Sequence, residues 1–400
     1  MALASGIFNI NTGNPAELNV RSFAGQILRR FPNGSAPMYA LSSQSGRSKA
    51  KVSTHGYFTK VMTFHVVTQA GAEANVAEPT LVWPSTTGMT VGMVFFNPRT
   101  RENVRITAVT NATDVETTRG FGRVAAAAVN AGDTWIQIGT AFEEGSNRPV
   151  SRRLTTAYVS NYTQIFRNAW ALTATAKASL AEMGISNIAE NRNDCSMFHA
   201  VDIESAIIWG QPYMDTTGPT PMHATQGVLD AMEQYAPDNT NVAASTTSFD
   251  QLVALAEPAF EYSTNLGDPK SRVVFCDKVA LRVLNQIGRA SGQITINQAE
   301  TSFGMRFSKF EFYKGTLNLI EHPLLNGLAQ TGMMLIMDMS ALKLAYMEGR
   351  DTVPENYGID GKSADSGADA VGGSLTTECA VELINPFSCG VITGLTQGVA

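Results

Sequence analysis

ISNIAENRNDCSMFHAVDIESAIIWGQP, residues 185–212, is the stretch whose reading decides the fold. Asn187 stands in N-cap position, with Glu190 three residues on completing a capping box. Gly210 and Pro212 supply the stop. Projected at about 100° per residue, Met197, Phe198, Val201, Ile208 and Trp209 form one apolar stripe, and Ala200, Ile203 and Ile207 form a second. A helix apolar on two sides is expected to be sandwiched. It is either the middle of an ordinary core or a spine laid on a sheet with another element across it.

Upstream, NYTQIFRNAWALTATAKA (161–178) continues a β-rich run that starts near residue 151, and KVSTHGYFTKVMTFHVVTQ (51–69) reads as a second long strand. The two are expected to be the arms of one hairpin spanning residues 51–178. Between them come short strands, VFFN and VRITAV joined through Asn97-Pro98-Arg99-Thr100, then ETTRG and TWIQI. They suggest a small β module inserted at about residues 80–148.

Inside that module, RGFGRVAAAA (119–128) fits the G-x-G-x-x-A loop of dinucleotide-binding folds through Gly120, Gly122 and Ala125. Only RVAAAAVN could be helix before Ala131-Gly132-Asp133 interrupts it, and a crossover helix needs about 10–12 residues. The loop therefore reads as a turn among short strands, with Glu143 and Glu144 in a solvated turn. A nucleotide-binding oxidoreductase using Gly120–Ala125 is the alternative from another functional class.

Downstream the texture becomes α/β over residues 225–347. VLDAMEQY is a short helix, and Ser248 with Gln251 opens another. RVVFC is a strand, Asp277 caps a helix closed by Gly288, and RFSKFEF, TLNLIEHPLL and MMLIMDMSALKLAYM continue a sheet. Residues 358–374 read as a polar loop. TECAVELIN and CGVITGL are closing strands that need a sheet to join, with the long helix as one neighbour. Residues 1–50 read as an extended arm with little core of its own, expected to lean on a neighbouring subunit.

Composition narrows the function. Charged residues make up 16% of the chain, against about 25% in an ordinary soluble protein. Such a surface suits coverage by other protein, or is simply rich in neutral polar side chains. The net charge of −6 argues against a dedicated nucleic-acid binder. The start, MALASGIFNI, is unlike a signal peptide, and no apolar run approaches the roughly 18 residues of a membrane span.

Cys195, Cys276, Cys379 and Cys389 are scattered and read as reduced core thiols. The five histidines lack metal-ligand spacing, and His199 reads as a satisfied structural histidine. Glu321-His322-Pro323 has no nucleophile motif near it. The sequence thus offers no catalytic, cofactor-binding or metal residues. Arg99, Arg101, Arg105, Arg152 and Arg153 are the candidate assembly contacts.

The order of parts, together with NYTQIFRNAWALTATAKA, VDIESAIIWGQ, YKGTLNLIEHPLL, MMLIMDMSALKLAYM and VELINPFSCGVITGL, resembles the major capsid proteins of tailed bacteriophages, the Hong Kong 97-type fold. The resemblance implies an α+β fold. Its parts would be an N-arm (1–50), an E-loop hairpin with the inserted β module (51–178) and a peripheral domain with the spine helix (179–224). An axial α/β domain (225–347) and return strands of the peripheral domain (348–400) would follow. It further implies a structural shell protein and no enzyme site. The partners would be copies of itself in hexamers and pentamers, with portal, scaffolding and decoration proteins, around enclosed double-stranded DNA bound without sequence specificity. A virion location, assembly in the host cytoplasm and no membrane partner go with that reading. A nanocompartment shell of the same fold is the neighbouring alternative.

Overall fold

The computed structural model describes residues 36–42, 46–60, 65–149, 151, 154, 156–178, 187–244, 247–264, 270–291, 298–302, 305–327, 332–358 and 369–396. The long helix is present as Asn187–Trp209. It starts at Asn187 itself, one residue before the expected first turn, a difference within the usual scatter of helix ends. It stops at Gly210, where a side chain would collide: a Cβ there would lie 2.5 Å from the Thr225 carbonyl oxygen.

Burial of this helix is uneven along its length: the sandwich expectation holds around Ile203–Ile208, whereas the first half is more open. Cys195, His199, Ile203, Glu204, Ile207 and Ile208 are buried, whereas Phe198 is 54% exposed and Met197, Val201 and Trp209 are only half-buried. Within one subunit a sheet covers one side of it, and the short helices Pro37–Ser42 and Val228–Tyr235 also pack on it. That sheet contributes the strands Gln164–Thr173 and Ala370–Leu383 to the contact.

The strand Ala370–Leu383 organises this first sheet. Its first half pairs antiparallel with Gln164–Thr173 on one side and Val353–Tyr357 on the other; its second half pairs with Leu342–Met347. Arg47–Ala50 adds to Leu342–Met347 in parallel. The period of two is plain in Gln164–Thr173, where Phe166 and Trp170 are buried and Arg167 and Ala171 are exposed.

Two expectations change here. The polar loop expected over 358–374 gives way to strand at Ala370, and its residues 359–368 lie outside the described residues. Gly373 suits the strand because a Cβ would meet the Glu355 carbonyl oxygen at 2.4 Å. The end of the expected arm is also built into the core. Pro37–Ser42 is helical and Arg47–Ala50 is a strand, with Met38 and Ala50 fully buried. The arm's first 35 residues lie outside the described residues.

A second, seven-stranded mixed sheet runs in the order Thr240–Val242, Gly390–Thr393, Met334–Met337, Ser271–Cys276, Gly315–Glu321, Met305–Phe312, Gln298–Ser302. The helices Phe249–Ala256 and Lys278–Ser291 build a core with it around Val274, Leu284, Leu252 and Ile336. Ser248 and Gln251 form the capping box read from the sequence. Asp277 caps as expected, accepting the Ala280 N–H at 2.6 Å. Gly288 does not end its helix, which runs on to Ser291; an interior glycine costs about 1 kcal/mol and is tolerated.

MMLIMDMSALKLAYM was expected to stay in one sheet. It instead switches at Asp338–Ala341: Met334–Met337 lies in the second sheet and Leu342–Met347 in the first. The closing strands divide in the same way, with Ala370–Leu383 in the first sheet and Gly390–Thr393 in the second, across the turn Pro386–Ser388.

Phe58–Val159 forms a separate compact unit. Its six-stranded antiparallel sheet has the order Val66–Thr68, Thr134–Thr140, Met93–Phe96, Asn103–Val109, Asp114–Thr118, Thr80–Val82. Trp83, Trp135, Phe95, Leu81 and Ile106 are fully buried in its core. The unit is wider than the 80–148 expected. The single strand expected over 51–69 is two, Thr54–Thr59 and Val66–Thr68, and the second belongs to the module sheet. Thr54–Thr59 pairs with Ala157–Tyr162 in a two-stranded ribbon, as the hairpin reading required.

Candidate functional site

The glycine loop was the strongest candidate for chemistry, and the structure gives it a ligand from its own chain. Gly120 and Gly122 adopt φ of 61° and 152°, so the chain turns tightly and no helix follows. Into this turn projects Glu102, fully buried. Its carboxylate accepts the Gly120 N–H at 2.9 Å and the Ala127 N–H at 3.2 Å. Arg119 adds Nε at 2.7 Å and Nη2 at 2.9 Å.

Burial acts to raise the Glu102 carboxyl, but the bonds from Arg119, Gly120 and Ala127 outweigh it and leave it below the ordinary range. The loop has the anion-cradling chemistry that its glycines suggest, and an internal carboxylate occupies it. The strands around it are antiparallel, so the βαβ context of a dinucleotide site does not exist there.

The candidate assembly arginines fare unequally. Arg99 is engaged within its own unit by Asp133, with Nε at 2.6 Å and Nη2 at 2.5 Å from the two carboxylate oxygens. That bond is the main cause holding Asp133 down to about 2, against the effect of burial, with help from the Asn130 N–H and the Asn97 amide. Arg105 donates to the Ala141 carbonyl at 2.9 Å and approaches Glu143 at 3.9 Å. Arg101 is exposed, sits at φ 60°, and makes no ion pair among the described residues. Arg152 and Arg153 lie outside the described residues.

His199 bridges Asn168 Oδ1 and Thr377 Oγ1, each at 2.7 Å, and so ties the long helix to its sheet. Burial lowers its pKa, opposed by Asp202. The four cysteines are free and buried. Burial pushes Cys379 up to about 12 and Cys389 to about 11, and pushes Cys276 up further; thiols so raised are poor nucleophiles. No cluster suited to a metal ion occurs among the described residues.

One polar group was missed. Glu204 of the long helix pairs with His322 at 2.6 Å, both side chains fully buried. The sequence shows His322 beside Glu321, with nothing local that joins it to Glu204, 118 residues away. The usable signal was a carboxylate between Ile203 and Ile207, on an otherwise apolar face.

Exposed apolar side chains mark surfaces rather than pockets. Phe58 and Tyr158 stack at 5.0 Å on the ribbon while 74% and 52% exposed. Tyr262 and Phe387 stack at 5.4 Å beside the second sheet, also in the open. Phe198, Tyr213 and Met222 add to these. Large exposed side chains of this kind suit protein contacts.

An anion loop filled by its own carboxylate, buried thiols and open apolar faces, on an α+β architecture, suit a subunit that packs against other protein. The chain belongs to the SU10 major capsid protein family, whose model matches residues 8–396. The major capsid protein of Pseudomonas phage PaMx41 is 49% identical over 412 residues, covering 99% of this chain and 97% of that one.

Among solved structures, one from Mycobacterium phage Bobi is 10% identical with a TM-score of 0.47, covering 96% of this chain and 97% of that one. The holo-SrpI encapsulin complex of Synechococcus elongatus PCC 7942 is 11% identical with a TM-score of 0.44, covering 62% of this chain and 80% of that one. Likenesses this loose add nothing to the family match.

Proposed function

We propose that many copies of this chain close, as hexamers and pentamers, into the icosahedral head of a tailed phage around double-stranded DNA, with no catalytic role. The observation that carries this reading is the near-full-length 49% identity to a phage major capsid protein. The physical chemistry supports it. A chain with only 16% charged residues and open aromatic pairs gains by burial against neighbours. A subunit of net charge −6 has little of the basic footprint that drives counterion release, so enclosed duplex is held by the wall without sequence-specific binding.

Portal, scaffolding and decoration proteins are the further partners, and the host cytoplasm is the place of assembly. The unit Phe58–Val159 acts as a contact device, with Arg101 at its rim tuning orientation and rate more than affinity. Negative-stain microscopy of the purified protein tests the reading. Shells or ring-shaped capsomers are expected. A uniform monomer or dimer that binds a dinucleotide at micromolar concentration would overturn it.

A further inference from the structure

The first described residues enter the subunit through a short helix whose leading turn is held from outside. Pro37–Ser42 has six residues, too few to be stable alone in water. The N–H groups of its first turn have no partner within the helix. Met38 N–H donates to Glu204 Oε1 at 2.9 Å, and Tyr39 N–H donates to Glu204 Oε2 at 2.6 Å. The third donor is His322. Its Nδ1 accepts the Leu324 N–H at 3.2 Å, so Nε2 carries the proton and donates to Glu204 Oε1 at 2.6 Å. One buried carboxylate therefore joins three segments: the long helix, the turn after Gly315–Glu321, and the root of the N-terminal segment.

The next anchor along the chain is of a different kind. Arg47–Ala50 is held by a backbone ladder to Leu344–Met347, with Ala50 packed on Ala345 and Ala380. That attachment does not depend on Glu204. The helix and the strand can therefore part company. Loss of the carboxylate's bonds leaves two first-turn N–H groups without acceptors and the helix held by the packing of Met38, Tyr39 and Leu41, while the strand keeps its ladder.

We propose that the Glu204–His322 pair is a latch on the root of the N-terminal segment, able to release Pro37–Ser42 without unfolding the sheets. With the latch open, Pro37–Ser42 leaves the core, and its six residues span about 20 Å when extended, at about 3.4 Å per residue. In a shell this lets one sequence reach neighbours at unequal distances. That use rests on the shell reading above; the latch itself does not.

Hydrogen exchange on unassembled full-length subunits tests the latch apart from shell formation, which microscopy reads separately. Glu204→Gln keeps the side chain's size but replaces one acceptor with a donor. Exchange at Met38–Ser42 is expected to quicken about tenfold or more, while amides of Ser271–Cys276 and Met334–Met337 change less than about twofold. His322→Asn is expected to act in the same direction and more weakly, because Glu204 keeps its two backbone donors. Unchanged exchange at Met38–Ser42 in both variants overturns the proposal. So does a rise of equal factor through the long helix and both sheets, which would make the pair part of the global fold. If Glu204→Gln fails to fold, His322→Asn decides by the same criterion. If neither folds, the latch is overturned.

Discussion

Glu102→Ala is the sharpest test of how the inserted unit holds together. The substitution removes four bonds at once, two from Arg119 and one each from the Gly120 and Ala127 amides. Arg119, 5% exposed, is left with the Ala127 carbonyl at 2.6 Å and the Glu78 carbonyl at 3.3 Å, so a buried cation loses its counter-charge. Breaking a buried pair from one side costs about 3–5 kcal/mol. A domain of this size has about 5–15 kcal/mol in all.

Urea unfolding followed by tryptophan fluorescence reads the loss, since Trp83 and Trp135 are fully buried in this unit. With a slope of about 2 kcal/mol per molar urea, the unit's midpoint should fall by about 2 M. Replacing both partners, as Glu102→Leu with Arg119→Met, should recover most of it, because two apolar side chains need no compensation. A midpoint drop under about 0.5 M, or an equal loss of amide protection in the strands Ser271–Cys276 and Met334–Met337, would refute the assignment of Glu102 as the unit's internal anion.

Three further outcomes are expected. Asp133 is held at about 2 against an ordinary value of 3.8; a folded value below the unfolded one stabilises fully above about pH 4 and is lost as the pH falls from there toward 2, a change of about 2 kcal/mol. Arg99→Met should flatten that acid limb in a pH series of unfolding curves, and an unchanged limb would mean that the Arg99 bond is not its cause. Ile207→Ala, at a position 1% exposed, should cost about 2–5 kcal/mol; a thermal melt within a degree of the parent would contradict the burial of the long helix around Ile203–Ile208. Gly332→Ala should cost at least about 2 kcal/mol, because Gly332 sits at φ +80° and a Cβ there would lie 1.9 Å from the Leu395 carbonyl oxygen; a melt within a degree of the parent would show that the chain end moves aside freely.

What the sequence determined by itself was everything carried by local periodicity and capping. The long helix, the Ser248–Gln251 capping box, the short helix Val228–Tyr235 and the strand at Ser271–Cys276 follow from patterns within a few residues, and the ribbon of Thr54–Thr59 with Ala157–Tyr162 from the order of two β-rich runs. That the glycine loop is a turn among short strands was legible too, because the space left for a crossover helix is a matter of counting. The order of parts, together with phrases such as NYTQIFRNAWALTATAKA and VELINPFSCGVITGL, placed the chain among phage capsid proteins.

Only the tertiary structure decided matters that depend on residues far apart in the chain. Leu342–Met347 and Met334–Met337 look alike as apolar strands, and nothing local assigns them to different sheets; the choice depends on which edge each can reach after the turn at Asp338–Ala341. The two apolar stripes of the long helix gave no sign that full burial would be confined largely to Ile203–Ile208, since that depends on where the sheet and the short helices of the same subunit reach. Glu102 finds Arg119, and Glu204 finds His322, across 17 and 118 residues. A buried charge is tolerated only where a distant partner arrives in the right geometry, and that arrival is a property of the folded chain.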